Sequence, residues 1–147
     1  MMTKCSNGRS LLIANKSLAV TELGSNLMPC IVLLTAWSVS RASISFWESL
    51  IKFLLNKGTT YFVCVGTFSE KLHDDIDELI YQYDDEHGTE HSINMVTTYH
   101  ADDTLEEVVD YCVYATELRD KDKGCILAIL DDSSEEDEKM GILLKKA

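Results

Sequence analysis

The stretch CIVLLTAWSVSRASISFWESLIKFLLNKGTTYFVCVG, residues 30–66, decides the fold. Cys30 to Ala36 is a short, almost wholly apolar run, the pattern of a strand covered on both faces. Ser45 and Glu48 match the S-x-x-E capping box. Behind them Trp47, Leu50, Ile51 and Leu54 recur at i, i+3, i+4 and i+7, which predicts an amphipathic helix. Lys57-Gly58 supplies a C-terminal cation and a glycine stop. Tyr61 to Val65 is again short and apolar and ends at Gly66. Two buried strands joined through a helix require a crossover, hence a parallel pair.

The alternation continues toward the C-terminus. Ser69 is the expected N-cap of a second helix with an apolar stripe of Leu72, Ile76, Leu79, Ile80 and Tyr83. A polar loop follows at Asp84 to Glu90, then a less apolar strand from Ile93 to Tyr99, expected nearer an edge. Asp103 and Glu106 match a third helix start, and Leu105, Val108, Val109 and Cys112 line that helix. Cys125 to Leu130 is a fourth buried strand. The expected fold class is α/β: one domain, residues 30–147, with a mostly parallel four-stranded sheet in the order βαβαβαβ. It would be Rossmann-like or flavodoxin-like, with helices on both faces and right-handed crossovers. Residues 1–29 read either as an arm or as a hairpin of Leu11 to Ala14 with Leu18 to Val20. The acidic run Asp131 to Glu138 reads as solvated, and Met140 to Leu144 as a short helix or strand docking on the sheet edge.

Charge is split along the chain. Residues 1–66 carry six Lys/Arg and two Asp/Glu; residues 67–147 carry seven and twenty-three, and the sum is the net −12. Such a field repels phosphate and anionic lipid and attracts basic partners, so direct nucleic-acid binding is not expected. The longest apolar run, Met28 to Trp37, is about half of the ~20 residues that span a bilayer. Five cysteines at wide spacing form no C-x-x-C pair and read as reduced, buried thiols of a cytoplasmic protein. They do not cluster with the four histidines, so no metal site and no cofactor is expected.

On a helical wheel the second helix sets Asp74, Asp77, Glu78 and Asp85 opposite its apolar stripe. The third sets Asp103, Glu106, Glu107, Asp110 and Glu117 opposite its own. Outward carboxylates are usually just solvated. Here, however, few lysines balance them, with Lys71 and Arg119 the main candidates, and Tyr81 and Tyr114 fall among the acids. An exposed tyrosine ringed by carboxylates suits the anchoring of a cationic partner. The expected partner-binding residues are therefore Asp74, Asp77, Glu78, Tyr81 and Asp85, with Glu107, Asp110 and Tyr114. The function expected is a small acidic protein-binding module, of the inhibitor or immunity-protein kind, masking a basic partner surface.

Two alternatives remain open. In parallel sheets ligands bind outside the carboxyl ends of the strands. There His100, Asp102, Asp131 and Asp132 can form an enzyme or sensor site, with His100 as general base or the carboxylates around Mg²⁺. No phosphate-binding glycine loop and no G-x-S-x-G is present, so an enzyme is the less expected reading. The other alternative is a homo-oligomer or a subunit of a larger complex.

Overall fold

The computed structural model describes residues 2–22, 30–116, 118 and 123–147. Pro29, Glu117 and Arg119 lie outside the described residues. The fold is mixed α/β, with a six-stranded, mostly parallel sheet rather than the four strands expected. The four expected strands are present: β3 (Cys30–Thr35), β4 (Tyr61–Val65), β5 (Val96–His100) and β6 (Cys125–Ile129). The two added strands come from the N-terminal segment, β1 (Met2–Lys4) and β2 (Ser10–Ala14). Among the described residues strand order is β1-β2-β6-β3-β4-β5, with only the β1–β2 pair antiparallel.

The N-terminal segment does contain an antiparallel pair, but not the expected one. Leu18 to Val20 lies in helix α1 (Lys16–Glu22), and β2 pairs in parallel with β6 as part of the main sheet. Leu18 and Ala19 are strong helix formers, and the short apolar run Leu18 to Val20 does not by itself decide between helix and strand. Two observed contacts accompany the helix: the Asn15 side chain accepts from Leu18 N, and Ala19 is fully buried on the core.

The period of two along each strand divides the core. Val32, Leu34, Phe62, Cys64, Leu127 and Ile129 face one side. Ile31, Leu33, Tyr61, Val63, Val65 and Ile126 face the other. The first side is covered by α1, by α2 (Ile44–Asn56) through Trp47, Leu50, Ile51, Leu54 and Leu55, and by α3 (Ser69–His87). The second side is covered by α5 (Leu105–Asp110), its π-helical continuation Tyr111–Ala115, and α6 (Glu135–Lys146). The short α4 (His91–Asn94) precedes β5.

Helix starts differ from the sequence patterns by one or two residues. Ser43 flanks α2 and Phe68 flanks α3, neither with a side-chain cap bond, so the Ser45–Glu48 box and the Ser69 cap do not form. The third box shifts by one residue: Thr104 caps α5 and Glu107 reaches back to its backbone N–H. α3 runs through the expected Asp84 loop and stops at Gly88, whose φ of 64° gives the left-handed cap. The expected docking of Met140 to Leu144 occurs as helix α6. It packs on the second face of the sheet, with Met140 and Leu144 buried, rather than on an edge.

Candidate functional site

Three places carry chemistry: the outward face of α3, the outward face of α5, and the rim at the carboxyl ends of the strands. On α3 the stripe Leu72, Ile76, Leu79, Ile80 and Tyr83 is buried as the periodicity requires. That forces Asp74, Glu78, Tyr81 and Asp85 into solvent, with Asp77 half-buried. Tyr81 is 64% exposed. Its neighbours at i−4, i−3 and i+4 are Asp77, Glu78 and Asp85, so the ring stands among three carboxylates. Lys71, the one lysine of the helix, is occupied by Asp75. His73 lies between Asp74, 2.8 Å from its Nδ1, and Asp77, 3.7 Å from its Nε2. Its ring meets Tyr99 of β5 edge-on at 5.0 Å.

Asp84, expected in a loop, is a buried structural carboxylate. It accepts from Thr89 Oγ1 at 2.7 Å, His91 N at 2.9 Å and Ser92 N at 2.8 Å, and so caps α4. Burial alone would raise its pKa, but these donors outweigh it and hold the carboxyl well below the usual carboxylate range.

The α5 residues do not join this surface. α3 packs on one face of the sheet and α5 on the other, so Glu107, Asp110 and Tyr114 form a separate patch. Glu107 is engaged in the capping box, and the Tyr114 hydroxyl is 2.8 Å from Ser6 Oγ. Asp110 and Tyr114 border an open depression with Glu107, Tyr111 and Ala115.

The rim residues are also divided. His100 ends β5 and Asp102 follows it, while Asp131 and Asp132 follow β6, and β3 and β4 lie between. Three strand spacings amount to about 14 Å, too far for one cation or one proton relay. Among the described residues no group of three or more His, Cys, Asp or Glu side chains is placed to hold a metal ion. His100 pairs locally: Nδ1 with Asp103 Oδ2 at 2.7 Å and Nε2 with Thr98 Oγ1 at 3.0 Å. Asp131 accepts from the hydroxyl and the N–H of Ser133, which hold its carboxyl low. The five cysteines are buried and not joined in disulfides among the described residues. Burial pushes Cys112 up to about 12 and raises Cys64 as well, so neither is a ready nucleophile.

The most elaborate polar cluster was not expected. Asp137, in the run read as solvated, is 1% exposed. It accepts from Thr35 Oγ1 at 2.8 Å, Trp37 Nε1 at 2.9 Å and Asp131 N at 2.7 Å. Arg41 stands 4.0 Å away and bonds Thr35 and Ile129 carbonyls. Burial dominates and raises the Asp137 carboxyl despite these partners. The cluster ties β3 and β6 together where α2 leaves to one face and α6 to the other. Beside it Ile13, Leu130, Asp131, Asp132, Asp137 and Lys145 line part of a cavity of about 340 Å³. The available signal was the helical spacing of Asp137, Met140 and Leu144, which puts the carboxylate on the buried stripe.

Arg9 was missed as well. It is buried and donates to the carbonyls of Cys112, Lys123 and Thr116 and to Thr116 Oγ1, closing the C-terminal end of the π turn.

Among the described residues no helix is long and apolar enough to cross a membrane. The chain belongs to the family described as a domain of unknown function, DUF7684, whose model matches residues 12–147. No curated protein and no solved structure matches it.

Proposed function

We propose that this chain is a small acidic protein-binding module that masks a basic surface of a partner, as an inhibitor or immunity protein does, with the outward face of α3 as the contact. The observation that carries this reading is Tyr81, largely exposed and flanked by Asp77, Glu78 and Asp85 on a helix whose one lysine is already paired. An exposed aromatic supplies contact area at little entropic cost, and the carboxylates steer and orient a cationic partner. The reading needs no catalytic group, cofactor, nucleic acid or membrane. Buried cysteines outside any disulfide among the described residues suit a reducing, cytoplasmic setting. Glu107, Asp110 and Tyr114, across the sheet, are secondary.

A photo-reactive phenylalanine analogue at position 81 tests this in the full chain, irradiated in the cells that make it. The expected product is a discrete adduct with a basic protein that disappears when Glu78→Lys and Asp85→Lys are combined. Adducts from position 114 but none from position 81 would contradict the assignment.

A second reading rests on the cavity of about 340 Å³ at the end of β6. In a Rossmann-like arrangement this rim would take a small ligand, with Asp131 and Asp132 as its polar contacts. A ligand bound there raises the melting temperature by mass action, and Asp132→Asn reduces the shift.

A further inference from the structure

We infer that the open edge of β5 is a strand-addition site for an extended cationic segment of the partner. This rests on the proposed acidic α3 face and specifies how the partner is held.

Among the described residues, β5 is the last strand of the sheet and pairs with β4 alone. Val96 N donates to Thr60 O, and Gly66 N donates to His100 O. This parity turns the backbone groups of Val96, Thr98 and His100 toward β4. The N–H and C=O groups of Thr97 and Tyr99 therefore point to the open edge. The opposite edge is guarded differently: β1 is three residues long and ends in Lys4. β5 has five residues, VTTYH, with no lysine or proline to discourage pairing.

The surroundings fit an occupant. Of the nine most exposed large apolar or aromatic side chains among the described residues, four lie on α3, α4 and β5: Tyr81, Ile93 and Tyr99, with Val96 on the sheet's other face. A cavity of about 200 Å³ opens between α3 and the strand, bordered by Asp77, Tyr81, Met95 and Thr97. The Thr97 hydroxyl is buried there without a hydrogen-bond partner. Thr97 and Tyr99 point their side chains to the α3 side of the sheet. A strand added beside them would likewise direct every second side chain to that side. Those positions face Asp77, Asp74 and the rest of the acidic helix, so cationic residues are favoured there. A second copy of this chain is disfavoured by the same charges: two-fold pairing of β5 with β5 would bring one acidic α3 against another.

The probe is a short capped peptide alternating Lys and Val, titrated against the full chain at low salt. Two further versions carry backbone N-methyl groups, one on the lysine amides and one on the valine amides. In a strand only one of these sets faces a given neighbour. The expected result is that the parent binds, one methylated version binds comparably, and the other is weaker by about tenfold or more. Amide exchange at Thr97 and Tyr99 slows on binding, while Thr98 is unchanged. If both methylated versions bind like the parent, the edge assignment fails and the acidic-face reading stands. If both lose binding equally, one-sided pairing is likewise refuted. If the parent does not bind at all, both fail. Sedimentation showing that the chain alone is a dimer which the peptide dissociates would assign the edge to a second copy and overturn the proposal.

Discussion

Asp137 shows how one side chain can fix the centre of this sheet. Three donors converge on its carboxylate, from Thr35, Trp37 and the Asp131 backbone. Asp137→Asn would turn an amide N–H toward at least one of them. Leaving buried donors unpaired costs about 2–4 kcal/mol. The melting temperature should fall by roughly 5–12 °C for a domain of this size. Calorimetry checks this, and an unchanged transition would mean the cluster carries no stability. Asp84 and Asp137 act oppositely in acid. Asp84 is held low in the fold, so its stabilisation is complete above its ordinary 3.8 and is lost as pH falls through the folded value. Asp137 is raised, so its ionised form weakens the fold above the raised value, and that penalty is relieved as pH falls toward 3.8. Stability of Asp84→Ala should therefore decline less steeply than that of the parent below about pH 4, measured by denaturant titration.

At the scale of elements, the β4–α3 turn is a close approach of backbone to backbone. Gly66 has φ 114°, and a Cβ there would lie 2.9 Å from the backbone of Ala36. Gly66→Ala should destabilise by about 2 kcal/mol or more. Gly58, also at positive φ but with nothing within 4 Å, should tolerate alanine better. Equal effects would mean that the close approach is unimportant. The same scale shows what the residues made legible. β3, β4 and β6 are buried on both sides, so their apolar runs announced them. The stripe of α3 was equally plain because five apolar residues keep one period. β2 was obscure: five residues, Ser10–Ala14, gain meaning only by pairing with β6 more than a hundred positions later. At α2 and α5 the caps slipped because Ser, Thr and Asp crowd the helix start, and local spacing does not decide which of them takes the β-region backbone; at α3 Phe68 takes the flanking position.

For the molecule as a whole, the sheet separates what the sequence had grouped. The acids of α3 and α5 share a helical pattern, but their helices cover opposite faces. The rim residues after β5 and β6 share a layer, but two strands stand between them. Neither separation was readable, since strand order follows from pairings that no single chain spells out. The exposure of Tyr81 and the surrounding carboxylates was readable, because it follows from the buried stripe of the same helix. If that face is an anchor, Tyr81→Ala should weaken the partner by about 30-fold, the order of a binding hot spot. Tyr114→Ala, with its hydroxyl already beside Ser6, should change affinity little. Isothermal titration with the partner captured at position 81 reads both.

The most direct test uses that captured partner and the full chain across a range of salt concentrations. The parent should lose affinity steeply as salt rises. The Glu78→Lys/Asp85→Lys pair should bind at least tenfold more weakly at low salt, about 1.4 kcal/mol or more. The Glu107→Lys/Asp110→Lys pair makes the same change in net charge across the sheet and should bind nearly as the parent does. Affinity that is flat with salt, or equal damage from the two pairs, would contradict the claim that α3 is the face that grips.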